Sequence, residues 1–170
     1  MDKNHAQLVK GCRRRDAKAQ RALYDEMAPM VNGMCMRYAS DRDEANDMVQ
    51  DVFVKVFEKV GSLKEDVNLT SWVYKIVINT CVDRCRRRKW TVLVDDGRLE
   101  MPSVEMDPFT MEEVLGAMRQ LPPLMRTVFN LCDVEGYSLD EVAEQLKSNN
   151  QAVRVALHRA RAKLKEALSR

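Results

Sequence analysis

Basic and amide side chains gather in two places along this chain, and both gatherings suit non-covalent binding of a polyanion. The first is Asp83-Arg84-Cys85-Arg86-Arg87-Arg88-Lys89. The second is the stretch from Leu146 to Arg170, which holds seven basic residues against one acidic residue, Glu166. Asn150, Gln151 and Arg154 open that second stretch. Asparagine and glutamine can pair with adenine edges and arginine with guanine. A basic stripe on a terminal helix is equally the pattern of an ordinary solvated face, so the stripe alone leaves both readings open. Covalent chemistry has little to work with. There are two histidines, no Walker loop, no H-E-x-x-H and no glycine-rich dinucleotide turn. The five cysteines (Cys12, Cys35, Cys81, Cys85, Cys132) are odd in number and lack C-x-x-C spacing. Reduced, buried or half-buried thiols explain them. Cys81 and Cys85 could share a helix face, but the other half of a metal site would have to come from distant groups such as Cys12 or His5. No catalytic residue, cofactor or metal is expected.

The elements that must position these residues are helices. Among 170 residues, 45% hydrophobic side chains suffice for a core, and 32% charged side chains with only six Gly and five Pro favour long helices over sandwiches. Charge is unevenly spread: residues 1–90 carry a net +5, residues 91–113 carry −6 and residues 114–170 carry +3. Two basic helical blocks joined by an acidic segment is a two-domain pattern. The expected boundaries are 1–90, an acidic flexible linker at 91–110 containing Gly97, Pro102 and Pro108, and 111–170. No apolar run approaches the roughly 18 residues of a membrane span. The first residues lack a signal-peptide stretch, so membrane insertion is not expected and a cytoplasmic protein is.

Periodicity places the helices. Ala45, Met48, Val49, Val52, Phe53, Val56, Phe57 and Val60 recur at steps of three and four and end at Gly61. Before them a helix capped by Asp16 should run to Tyr38, kinked or split at Pro29. A third should begin at Thr70 or Ser71, pass through Trp72, Val73, Ile76, Val77 and Thr80, and enter the arginine run. In the second block, Met111 to Gln120 is one helix, stopped by Leu121-Pro122-Pro123. Another follows through Met125, Val128, Phe129 and Cys132. Ser138-Leu139-Asp140-Glu141 is a capping box opening a short helix, Lys147-Ser148-Asn149-Asn150 makes a turn, and a helix from about Gln151 runs to the end. On that helix Val153, Leu157, Ala160, Leu164 and Leu168 form the core stripe, while Gln151, Val155 and Arg159 should lie nearly opposite. A short capped helix, a tight turn and a longer basic helix is a helix-turn-helix.

These residues together resemble the extracytoplasmic-function class of bacterial sigma factors, the promoter-specificity subunits of RNA polymerase. Asp47-Met48-Val49-Gln50-Asp51-Val52-Phe53 is similar to the family's D-x-V-Q-[DE]-x-F helix. The resemblance implies that Asp47, Gln50 and Asp51 dock on core RNA polymerase. Trp72, Ile76, Asn79 and Asp83, followed by Arg84, Arg86, Arg87 and Arg88, resemble the promoter-melting helix. By that likeness, capture of an unstacked base falls in the 61–71 connection beside Trp72 and Asn79, and the arginines hold phosphates of the minus-ten region. Trp72, at the first helical turn, reads as a core anchor sooner than as a stacking platform. Leu121-Pro122-Pro123 with Arg126, Gly136-Tyr137-Ser138, and Leu157-His158-Arg159-Ala160-Arg161 with Lys163-Leu164 match the family's second domain.

On this resemblance the chain would be an all-α, two-domain, non-catalytic initiation factor with promoter DNA, core polymerase and an anti-sigma factor as partners. Asn150, Gln151, Arg154, Val155 and His158 are the candidates for base edges of the minus-thirty-five element, and Arg159, Arg161 and Lys163 for phosphates. The acidic linker is either a solubilising tether or, by family likeness, a nucleic-acid mimic threading toward the active centre or RNA exit path. Two departures stand out. Lys147 occupies the turn position where the family usually has Gly, so it should need a conformation that Gly takes more easily. The last helix opens Gln151-Ala152-Val153 instead of Gly-Thr-Val, so base preference does not transfer. The competing reading, a stand-alone helix-turn-helix regulator, would leave the Asp47–Phe53 motif unexplained.

Overall fold

In a computed structural model, which describes residues 3–64, 67–87 and 109–169, no strand occurs among the described residues. The helices are α1 (Lys3–Arg13), α2 (Ala17–Tyr38), α3 (Arg42–Lys59), α4 (Leu69–Arg87), α5 (Met111–Gln120), α6 (Pro123–Phe129), α7 (Leu139–Leu146) and α8 (Asn150–Leu168). A 3₁₀ turn, Val60–Ser62, follows α3, and a π-helical turn, Asn130–Val134, follows α6. The chain divides into two compact units, residues 1–81 and 82–170, and α4 runs across that boundary. The expected acidic linker lies, but for Phe109 and Thr110, outside the described residues.

In the first unit α1 packs on α2 and α2 on α3. Leu23, Val31, Val52, Val56, Leu69, Val73 and Val77 are fully buried. A buried side chain of this size contributes roughly 1.5–3 kcal/mol relative to leaving it in water. The Phe53 ring lies tilted 4.4 Å from Tyr24 across the α2–α3 seam and stacks 6.1 Å from Phe57 along α3. Asp16 caps α2 as expected, accepting from the amides of Lys18 at 2.7 Å and Ala19 at 3.1 Å. Pro29 neither splits α2 nor ends it. The residue is exposed, so the carbonyl left without an amide partner can turn to water. The cap of α4 is Asn68 and not Thr70 or Ser71: its side chain accepts from the Ser71 amide at 2.9 Å. No periodic stripe in the sequence announces α1. Its buried Val9 and Cys12 supply too few apolar positions for a clear stripe.

In the second unit α5, α6 and α7 all pack on α8. Ala117, Met118, Leu121, Ala160 and Leu164 form one core cluster, with Val114, Met125, Phe129, Ala167 and Leu168 packed against it. Arg126, 1% exposed, lies inside this unit. Its guanidinium donates to the carbonyls of Met118 at 2.9 Å, Arg119 at 2.8 Å and Leu121 at 2.8 Å. These are the carbonyls that end α5, so the cation both satisfies them and meets the negative end of the helix dipole. All five cysteines are reduced; four are buried and Cys132 is half-buried.

Candidate nucleic-acid interface

The helix-turn-helix is assembled from local caps. Ser138 and Glu141 cap α7 reciprocally, the Ser138 oxygen accepting from the Glu141 amide at 3.3 Å and the Glu141 carboxylate from the Ser138 amide at 2.8 Å. That amide and the Ser138 hydroxyl hold the Glu141 carboxyl below its ordinary value. Lys147 ends α7 in the left-handed conformation, with φ 51° and ψ 44°, as the departure from glycine requires. Asn149 then caps α8, accepting from the Ala152 amide at 2.7 Å. Two long-range ties fix α8. Asn150 Nδ2 donates to Asp140 Oδ1 at 2.5 Å, and Arg161 forks onto Asp133 at 2.8 and 2.5 Å. The ion pair raises the Arg161 pKa.

The candidate residues of α8 do not all share one surface. Gln151 and Arg154 are exposed, and His158 and Arg159 are half-exposed. Val155 is 4% exposed and cannot reach a base edge. Both α6 and α7 pack on α8, and Ala152, Val153, Val155, Ala156 and Leu157 are all buried, so the core face is wider than one stripe. Arg161, expected at a phosphate, has its charge matched by Asp133. Lys163 lines a cavity of about 210 Å³ with Ala117, Gln120, Leu121, Glu166 and Ala167. At ~100° per residue that is half a turn around the helix from Arg154, so Lys163 falls outside the Arg154 face. Asp133 and Asp140 are the partners missed in the sequence. Nothing in local spacing signals a pair 28 residues apart.

In the first unit Asp47, Gln50 and Asp51 are all exposed on α3, opposite the buried Met48, Val49 and Val52. Trp72 is half-buried and Asn79 exposed on α4. Asp83 pairs with Arg86 at 3.3 Å, Arg84 is half-exposed, Arg87 is exposed, and Arg88 lies outside the described residues. No group of three or more His, Cys, Asp or Glu among the described residues could hold a metal ion. No helix among them is long and apolar enough to cross a membrane.

Residues 23–91 match the family model of sigma-70 region 2, and residues 111–164 match that of sigma-70, region 4. The RNA polymerase sigma-H factor of Pseudomonas aeruginosa is 29% identical over 178 residues, covering 95% of this chain and 92% of its own. The ECF RNA polymerase sigma factor SigW of Bacillus subtilis is 24% identical over 180 residues, covering 94% of each. The sigma factor RpoE of Bartonella quintana, solved with the anti-sigma factor NepR, shares the fold with a TM-score of 0.54 at 23% identity, covering 86% of this chain and 94% of that one. Two family models in the expected order, together spanning most of the chain, and relatives matched along nearly its whole length leave one conclusion: the chain belongs to the extracytoplasmic-function sigma factors, which direct RNA polymerase to promoters.

Proposed function

We propose that this work divides after α4, with residues 1–90 docking and melting, 91–110 tethering, and 111–170 reading the upstream element. A continuous helix is one mechanical piece, so a functional division at residue 90 follows the end of α4 better than one at residue 81. Asp47, Gln50 and Asp51 form the core-polymerase contact. Asn79 and the connection before α4 take an unstacked minus-ten base, and Arg84, Arg86, Arg87 and Arg88 neutralise phosphates. Half-buried Trp72 serves as anchor and platform at once, one face on the core and the rest available to stack.

In the second unit Gln151 and Arg154 read base edges of the minus-thirty-five element, with His158 beside them. Asn150, whose amide is bonded to Asp140, orients the helix and offers its remaining oxygen. The single observation that carries this reading is the capped α7, the left-handed Lys147 and the Asn149-capped α8. Together they leave Gln151 and Arg154 exposed at the start of a basic helix. The protein works in the cytoplasm, performs no catalysis of its own and is held in check by an anti-sigma factor, as its relative from Bartonella is bound by one. Mixed with purified core polymerase and fragmented genomic DNA, the chain should start transcripts at discrete sites. Failure to convert core polymerase would leave a stand-alone regulator as the better account.

A further inference from the structure

The region 2 match begins at residue 23, inside α2, so α1 lies outside it. Yet α1 is closely fixed. Val9 and Cys12 are buried against the unit. Gly11 faces Ala19 so closely that a Cβ at residue 11 would overlap the Ala19 methyl. His5 Nε2 meets Glu26 Oε1 at 2.5 Å. At its C-terminal end, Arg13 crosses 50 residues of sequence to donate from Nη2 to the carbonyl of Leu63. Leu63 belongs to the connection between α3 and α4, where α1 packs on the 3₁₀ turn. Its side chain is buried and its amide is bonded to the Val60 carbonyl at 3.3 Å. Leu63 is therefore held through its side chain, its amide and its carbonyl, and the carbonyl is held from α1.

We propose that Arg13 is a positioning residue for minus-ten recognition, fixing through Leu63 the connection that captures the unstacked base. The inference rests on the reading that this connection takes the base. A connecting segment presents a base pocket in only a fraction of the positions open to it. A charge-assisted bond to one of its carbonyls raises that fraction before DNA arrives, so less ordering is required on binding. Arg13 touches neither base nor polymerase in this account. It acts through Leu63, and α1 is its lever.

The test uses polymerase reconstituted with the full chain and fork-junction DNA carrying each base in turn along the minus-ten non-template strand. The readout is the affinity ratio between preferred and substituted bases, which a loss of general stability would not move. Arg13→Ala should lower that ratio about three- to tenfold. Arg13→Lys should restore part of it, because an ammonium can still donate to the same carbonyl. Arg14→Ala, which removes an equal charge from the next residue, should leave the ratio unchanged. An unchanged ratio in Arg13→Ala, or an equal loss of affinity for every fork, overturns the proposal. A Ser62→Ala/Lys64→Ala variant separates the two levels. If it shifts base preference while Arg13→Ala does not, the connection reads the base without help from α1. If neither shifts it, the base-capture reading falls as well.

Discussion

Arg126 and Arg154 are both arginines of the second unit, and burial gives them opposite work. Arg126 is 1% exposed and forks onto three carbonyls at the end of α5. Replacing it by Met would remove the guanidinium donor from all three carbonyls and leave Met118 only the Leu121 amide, a loss of about 3 kcal/mol in urea unfolding. Arg126→Lys should recover only part, because a single ammonium cannot reproduce the planar fork. Arg154 is exposed and should matter little to stability. Its removal to Ala should cost roughly 1–3 kcal/mol at one base position and relax preference there, as read by selection from a randomised upstream element. Full retention of the parental preference would put base reading on another face of α8. Arg161→Ala should behave differently again. Its partner Asp133 would lose its cation, so the melting temperature should fall along with affinity for every promoter.

At the scale of elements, the helix ends carry the predictions. Lys147 is a non-glycine residue at φ 51°, a conformation crowded by its Cβ. Lys147→Gly should therefore stabilise the second unit by about 1 kcal/mol in thermal unfolding, with the turn geometry unchanged. The capping boxes of α5 and α7 give a pH dependence of known sign. Thr110 and Ser138 depress the Glu113 and Glu141 pKa values below the ordinary glutamate range. The folded state then holds fewer protons than the unfolded chain in the interval between the two values. Its stabilisation is complete above the ordinary value and disappears as pH falls through the depressed one. Amide exchange in the first turn of α7 should accelerate over that acid interval, and Glu141→Gln, which keeps the reciprocal bonding pattern, should flatten the response.

Across the whole molecule, function requires two units and a polymerase surface at once. Asp51→Arg changes an exposed residue of α3 opposite the buried Met48–Val52 stripe. It should cut core-polymerase affinity in a pull-down while helical content and melting temperature stay nearly constant. Unaltered affinity would remove the docking assignment and leave the DNA-facing residues untouched. Polar contacts of exposed side chains contribute about 1 kcal/mol or less, so each residue on the docking face can be tested with little disturbance of the fold.

The sequence by itself determined the all-α class, nearly every helix from α2 onward, the Asp16 and Ser138 caps, and the need for a left-handed residue at Lys147. Those properties are local: periodicity, capping and turn chemistry act over four residues or fewer. Only the tertiary structure decided that Val155 is buried, that Arg161 belongs to Asp133, that Lys163 turns toward α5, and that α1 reaches Leu63. Each of these depends on which helices pack around α8 or beneath the α3–α4 connection. A helix enclosed by three neighbours buries more than one stripe, and a long cation takes the nearest carboxylate or carbonyl that packing brings to it, whatever its distance along the chain.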